Sequence, residues 1–148
     1  MVEKTNSGFS RIETLGQIRF EMGAWNLPSI KHQESQDSVF RNGQDFGVFD
    51  GVGGAENGAE AATIAAETIS QSLKKYPNLP DSIESAKKRL LDAFSQANRV
   101  LLQRQRSTHS QMDTTGVFGT LISTKSGDNY AVFANSGDSR CYSYKKGI

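Results

Sequence analysis

Asp45-Phe-Gly-Val-Phe-Asp-Gly-Val-Gly-Gly54 narrows what this chain can fold into more than any other stretch. Phe46 and Val48 set the alternation of a short strand. The strand runs straight into Asp50-Gly51 and a loop too rich in glycine for regular structure. A carboxylate at the end of a buried strand offers charged oxygen to a hard cation. The glycine after it lets a backbone carbonyl come close without a Cβ in the way. Asp50 is therefore the first candidate functional residue.

Around this strand the pattern reads strands, two helices, then strands. Residues 1–16 carry no clear period and read as an irregular N-terminal segment. Gln17-Ile-Arg-Phe-Glu-Met22 alternates as a half-buried strand, and Asn26-Leu-Pro-Ser29 breaks it. Residues 38–50 form a hairpin about the turn Arg41-Asn-Gly-Gln44. From Ala59 to about Tyr76 the chain is alanine-rich, with Ala62, Ala65, Ala66, Ile69 and Leu73 on one helical face. Asp81-Ser-Ile-Glu84 has capping-box spacing and opens a longer helix to about Arg106, with Ile83, Ala86, Leu90, Phe94, Ala97 and Leu101 on one side. After the polar loop Ser107–Asp113 come strands over Thr115–Thr124, Tyr130–Asn135 and Arg140–Tyr144, a three-stranded meander. This blocked order argues for an α+β fold with antiparallel sheet rather than a doubly wound one.

Composition excludes several classes. With 148 residues the chain makes one domain, and 17 basic against 16 acidic side chains imply neither a nucleic-acid nor a membrane partner. No run reaches the roughly 18 apolar residues of a membrane span, and nothing at the N-terminus reads as a signal peptide, so a cytoplasmic, soluble protein is expected. The single Cys141 rules out an internal disulfide and a cysteine-built zinc site.

Spacing excludes more. Gly51-Val-Gly-Gly-Ala-Glu56 lacks the third glycine of a dinucleotide loop and the Lys-Ser/Thr of a Walker loop. No Gly-x-Ser-x-Gly elbow occurs, and Cys141 has no arginine where a thiolate phosphatase needs one. What remains is aspartate in small-residue turns: Asp37, Asp50 and Asp138. Oxygen donors of that kind suit Mg²⁺ or Mn²⁺. Asp138 equally suits a purely structural turn, paired with Arg140.

In this company Phe46-Gly-Val-Phe-Asp-Gly-Val-Gly-Gly54 resembles the Asp-Gly motif of the metal-dependent protein serine/threonine phosphatases, the type 2C or PPM-type family. Ser35-Gln-Asp-Ser38 resembles the family's early acidic motif. Asp113-Thr-Thr-Gly116 sits where the family has Gly-Ser/Thr-Thr, and Ala134-Asn-Ser-Gly-Asp-Ser-Arg-Cys-Tyr142 resembles its Ala-Asn-x-Gly-Asp-Ser-Arg motif. The four occur in the family's order. They imply a β-sandwich of antiparallel sheets flanked by helix pairs.

The resemblance also implies roles. Asp50 would bridge two Mn²⁺ or Mg²⁺ ions and the Gly51 carbonyl would bind one of them. Asp37, with Gln36, would act through bound water, and Asp138 would serve a weaker third ion. His32 stands at the place of the family's phosphate-binding arginine, with Lys31 beside it, and Val52 stands where many members have histidine. The implied activity is hydrolysis of phosphoserine or phosphothreonine in a phosphorylated protein by metal-activated water, without a phospho-enzyme. The family's later Asp-Gly and Asp-Asn motifs are missing, so the resemblance covers the first half of the domain and leaves it incomplete at the C-terminus. The alternative is an inactive phosphatase-like binding module or fragment.

Overall fold

The computed structural model describes residues 2–3, 8–15, 18–27, 35–52, 55–76 and 78–144. In chain order these form β1 (Val2–Glu3), β2 (Gly8–Leu15), β3 (Ile18–Trp25), β4 (Asp37–Asn42), β5 (Asp45–Val52), α1 (Ala55–Lys74), α2 (Ile83–Thr108), β6 (Asp113–Thr114), β7 (Gly116–Ser123) and β8 (Asn129–Ser136). The main sheet runs β1-β4-β5-β7-β8, with β6 paired to the end of β5, and β2 and β3 form a separate two-stranded sheet. Every pairing is antiparallel. The α+β reading holds, and both helices cover one face of the main sheet.

β5 shows why. Asp45, Gly47, Phe49 and Gly51 are buried on the helix side, while Val48, Asp50 and Val52 alternate onto the open side. Gly47 has no Cβ because one would lie 2.6 Å from the Phe118 Cβ and 2.7 Å from the Phe40 ring. The aromatic side chains close over that gap. Phe40 with Phe49, Phe49 with Phe118, and Phe118 with Phe94 stack at centroid distances of 6.0, 6.2 and 6.1 Å. Ala62, Ala65, Ala66, Ile69 and Leu73 of α1 and Leu90, Ala93 and Ala97 of α2 complete this core. Alanines at these positions let α1 lie close to the sheet. Each fully buried Ile, Leu or Phe contributes about 1.5–3 kcal/mol.

One polar contact sits inside the core. Arg89, 4 % exposed, donates from both terminal nitrogens to the two carboxylate oxygens of Asp45, 2 % exposed, at 2.7 Å each. It also donates to the Leu73 carbonyl at 2.9 Å and lies 5.6 Å over the Tyr76 ring. α2 is thereby tied to α1 and to the start of β5.

Several expectations are corrected. α1 begins at Ala55, four residues before Ala59. The box that opens α2 joins Ser82 and Ser85 instead of Asp81 and Glu84, because Ser82 is the extended residue (φ −149°, ψ 157°) whose hydroxyl accepts the Ser85 N–H. α2 runs on to Thr108 and is ended by His109 in the left-handed region at φ 53°. Residues 140–144 form no strand: β8 is the edge of the main sheet, and nothing described pairs with it there. Where an irregular start was expected, Gly8–Leu15 pairs along its whole length with Ile18–Trp25. No helix among the described residues is long and apolar enough to cross a membrane.

Candidate functional site

The hairpin register builds the site. β4 and β5 are joined through Gly43-Gln44, and Gly43 takes φ 61°, which glycine adopts without the cost a Cβ would impose. Pairing begins at Asn42↔Asp45 and runs outward until Asp37 faces Asp50. Both carboxylates therefore project from the open face at one end of the sheet.

The backbone beneath them is pinned. The Asp50 carbonyl accepts the Thr115 N–H and the Thr114 hydroxyl, both at 2.9 Å. The Asp37 carbonyl accepts the side-chain amide of Asn26 at 2.9 Å, and the Asp37 N–H donates to the Ser35 hydroxyl at 3.1 Å. Asn26 is buried, and its role escaped the sequence reading, which saw in Asn26-Leu-Pro only a break between strands.

The pair is electrostatically strained. Burial, then the Asp50 charge and a hydrogen bond to the Asp50 side chain, hold the Asp37 carboxyl above its ordinary 3.8; the Ser35 hydroxyl offsets part of this. A carboxyl held up in the folded state stabilises the fold while it stays protonated. That contribution is complete below 3.8 and is lost as pH rises through the raised folded value. The metal-free protein should accordingly lose thermal stability over that window, and Asp37→Asn should remove that part of the slope. Parallel melting-temperature profiles for the two proteins would refute this.

Gly51 and Gly58 bring the start of α1 against the end of β5. A Cβ on Gly51 would lie 2.0 Å from the Gly58 carbonyl oxygen and 2.7 Å from that of Gln36. A Cβ on Gly58 would lie 2.9 Å from the Gly51 carbonyl oxygen and 3.2 Å from the Gln36 side-chain oxygen. The Gly51 carbonyl and the Gln36 side-chain oxygen thus both close on Gly58 of α1.

The other candidates lie apart. Asp138 is exposed in the turn after β8, where Gly137 at φ 87° packs on Thr115 and Ser139 shares a hydrogen bond with the Thr115 hydroxyl. This turn is at the same end of the sheet. Even so, no three His, Cys, Asp or Glu side chains among the described residues come together as a metal-binding group. His32, with Lys31, lies outside the described residues, as do Gly53 and Gly54. Val52 is half exposed and pairs with Asp113 on β6.

Comparison with known proteins agrees with this architecture. The chain is similar in structure to the PPM Ser-Thr phosphatase MsPP from Mycobacterium smegmatis, solved in complex with cacodylate (TM-score 0.57, 20 % identity, 93 % of this chain and 48 % of that one). It is also similar to the serine/threonine phosphatase PstP/Ppp of Mycobacterium tuberculosis (TM-score 0.60, 17 % identity, 90 % and 48 %). A third likeness is to PppA of Pseudomonas aeruginosa, described as a key regulatory component of T6SS (TM-score 0.50, 18 % identity, 78 % and 44 %). The chain spans about half the length of these structures. No curated protein matches the sequence. The family profile "Protein phosphatase 2C" matches residues 26–147, a span that includes β4, β5, both helices and the β6–β8 strands. The chain belongs to the protein phosphatase 2C family.

Proposed function

We propose that this chain carries part of the active site of a metal-dependent phosphatase that removes phosphate from phosphoserine or phosphothreonine in proteins. The observation that carries the reading is Asp37 facing Asp50 across β4 and β5, with the Asp37 carboxyl held up in part by the Asp50 charge. Two carboxylates crowded together favour a cation between them, because its charge relieves the repulsion that, after burial, helps to raise the Asp37 carboxyl. The donors are all oxygen, which fits Mg²⁺ or Mn²⁺.

In this reading Asp50 and the Gly51 carbonyl hold the ions directly, and Asp37 and Gln36 hold them through water. Asp138 belongs to a third, weaker position, and His32 contacts the substrate phosphate. The bound ions supply activation of a water molecule and neutralisation of phosphoryl charge. The chain's own part is positional. The β4–β5 ladder fixes the carboxylate spacing, and the hydrogen bonds from Thr114, Thr115 and Asn26 keep the carbonyls beneath from turning toward the site.

A second reading has one observation in its favour: among the described residues no third His, Cys, Asp or Glu side chain joins the two carboxylates. The chain would then bind phosphoprotein without turning it over. Asp50→Asn separates the two. In a phosphatase it should reduce Mn²⁺-dependent hydrolysis of p-nitrophenyl phosphate by more than about 100-fold and abolish stabilisation by Mn²⁺. Hydrolysis that survives the substitution would sink the phosphatase reading. A wild-type protein that binds phosphopeptide yet shows no turnover would establish the second.

A further inference from the structure

Beside the carboxylate pair lies a cleft of about 560 Å³, lined by Val52, Gln105, Arg106, His109, Gln111 and Asp113 among others. It is well inside the size range of a binding site for one or two side chains. Its wall is built from three elements: the last turn of α2, the loop after it, and the β5–β6 pairing at Val52 and Asp113. The walls are fastened together. The Gln105 side-chain amide donates to the carbonyl of buried Met112, and the Thr108 and Ser110 hydroxyls share a hydrogen bond at 2.6 Å. His109 in its left-handed conformation turns the chain sharply at the rim.

On α2, Arg99 and Arg106 pair with no carboxylate among the described residues, and of these two only Arg106 lines the cleft. Lys87 pairs with Glu84, Lys88 with Asp92, Arg89 with Asp45 and Arg104 with Glu60. Arg106 faces the cleft, and its guanidinium pairs with no carboxylate among the described residues. The Arg104 carbonyl in the same turn is already taken by the Ser107 and Thr108 hydroxyls, and one Asp113 carboxylate oxygen accepts the Thr114 N–H. The cation at the rim is left available to a ligand.

We propose that this cleft receives an acidic side chain of the phosphoprotein substrate, with Arg106 as the residue that sets the preference. The inference rests on the phosphatase reading for the position of the phosphorylated residue. Val52, which lines the cleft, is two residues beyond Asp50 on the same strand, or about 7 Å. An extended peptide with its phosphoryl group at Asp50 places a side chain two or three residues away in the cleft. A carboxylate there meets a guanidinium, whose planar donors match it.

The test uses fluorescence anisotropy with two peptides that carry a non-hydrolysable phosphonate in place of phosphoserine. They differ in having Glu or Ala at the second and third flanking positions. Wild type should bind the Glu peptide about fivefold more tightly, Arg106→Glu should erase that preference, and Arg99→Glu, the same charge change elsewhere on α2, should leave it. Hydrolysis of p-nitrophenyl phosphate should be the same in wild type and Arg99→Glu. Equal affinities in wild type, or equal losses in the two variants, would overturn the proposal. Failure to hydrolyse any phosphate ester while the Arg106-dependent preference persists would remove the phosphatase reading and leave the cleft assignment standing.

Discussion

Arg89→Ala is expected to lower the unfolding free energy by about 3–5 kcal/mol, as removing one partner of a buried ion pair does. Asp45 is 2 % exposed, and both its oxygens are bound by Arg89 at 2.7 Å. Once the guanidinium is gone, the buried carboxylate is left without its charged partner. The Leu73 carbonyl also loses one of its two donors, keeping the Tyr76 N–H, and the Tyr76 ring loses its cation. Urea unfolding of wild type and variant measures the loss, and a change below about 1 kcal/mol would show that the pair is not desolvated as the structure has it. Removing both charges should be much milder. An Asp45→Val/Arg89→Met double variant should recover most of the loss, since an apolar pair of similar volume carries no desolvation cost. The pair would then be a device for holding α2 in register on β5 rather than a net source of stability.

That contact also marks where sequence reasoning stops. Asp45 and Arg89 are 44 residues apart, and neither belongs to a pattern that requires the other. Arg89 falls beside the Ala86, Leu90, Ala93, Ala97 stripe, where a long basic side chain reads as solvated. The one available signal was that Asp45 shares its alternation with Phe49, so a charge on the buried side of β5 needed a partner. The facing carboxylates were missed by a slip in register. A turn centred on Asn42-Gly43, as the sequence reads, sets Asp37 against Val48; the turn falls instead on Gly43-Gln44, and that shift brings Asp37 opposite Asp50. The α1 stripe followed from helical spacing, but the aromatic core did not follow from Phe46 and Val48, since Phe49 is the aromatic residue of β5 on the helix side. The ends of elements were harder because they depend on local hydrogen bonds. Ser82 rather than Asp81 caps α2 because its backbone is the extended one, and Arg140–Tyr144, though alternating, has no described strand to pair with. Alternation reports which face a residue would take in a strand. It does not report whether a neighbour exists.

Gly51→Ala is the second large effect, and it joins stability to function. The added Cβ would stand 2.0 Å from the Gly58 carbonyl oxygen and 2.3 Å from its carbon, which are backbone atoms of α1 and cannot rotate aside. Either the first turn of α1 moves away from β5 or the end of β5 leaves its ladder with Thr114. Overpacking of this kind costs about 3 kcal/mol or more. In the proposed metal site, movement of either element would also shift the Gly51 carbonyl, so Mn²⁺ affinity should fall together with stability. Gly43→Ala supplies the comparison. Nothing lies within 4 Å of the Cβ it would add, and its only cost is the left-handed φ of 61°. It should lose about 1 kcal/mol, with Mn²⁺ affinity unchanged. Equal losses at the two glycines would mean that α1 does not approach Gly51 as closely as the structure has it, because Gly51 has no positive φ to penalise alanine. A large loss of Mn²⁺ affinity at Gly51 alone, measured by calorimetry where both variants are folded, would show that the close approach of α1 to β5 serves to place that carbonyl at the carboxylate pair.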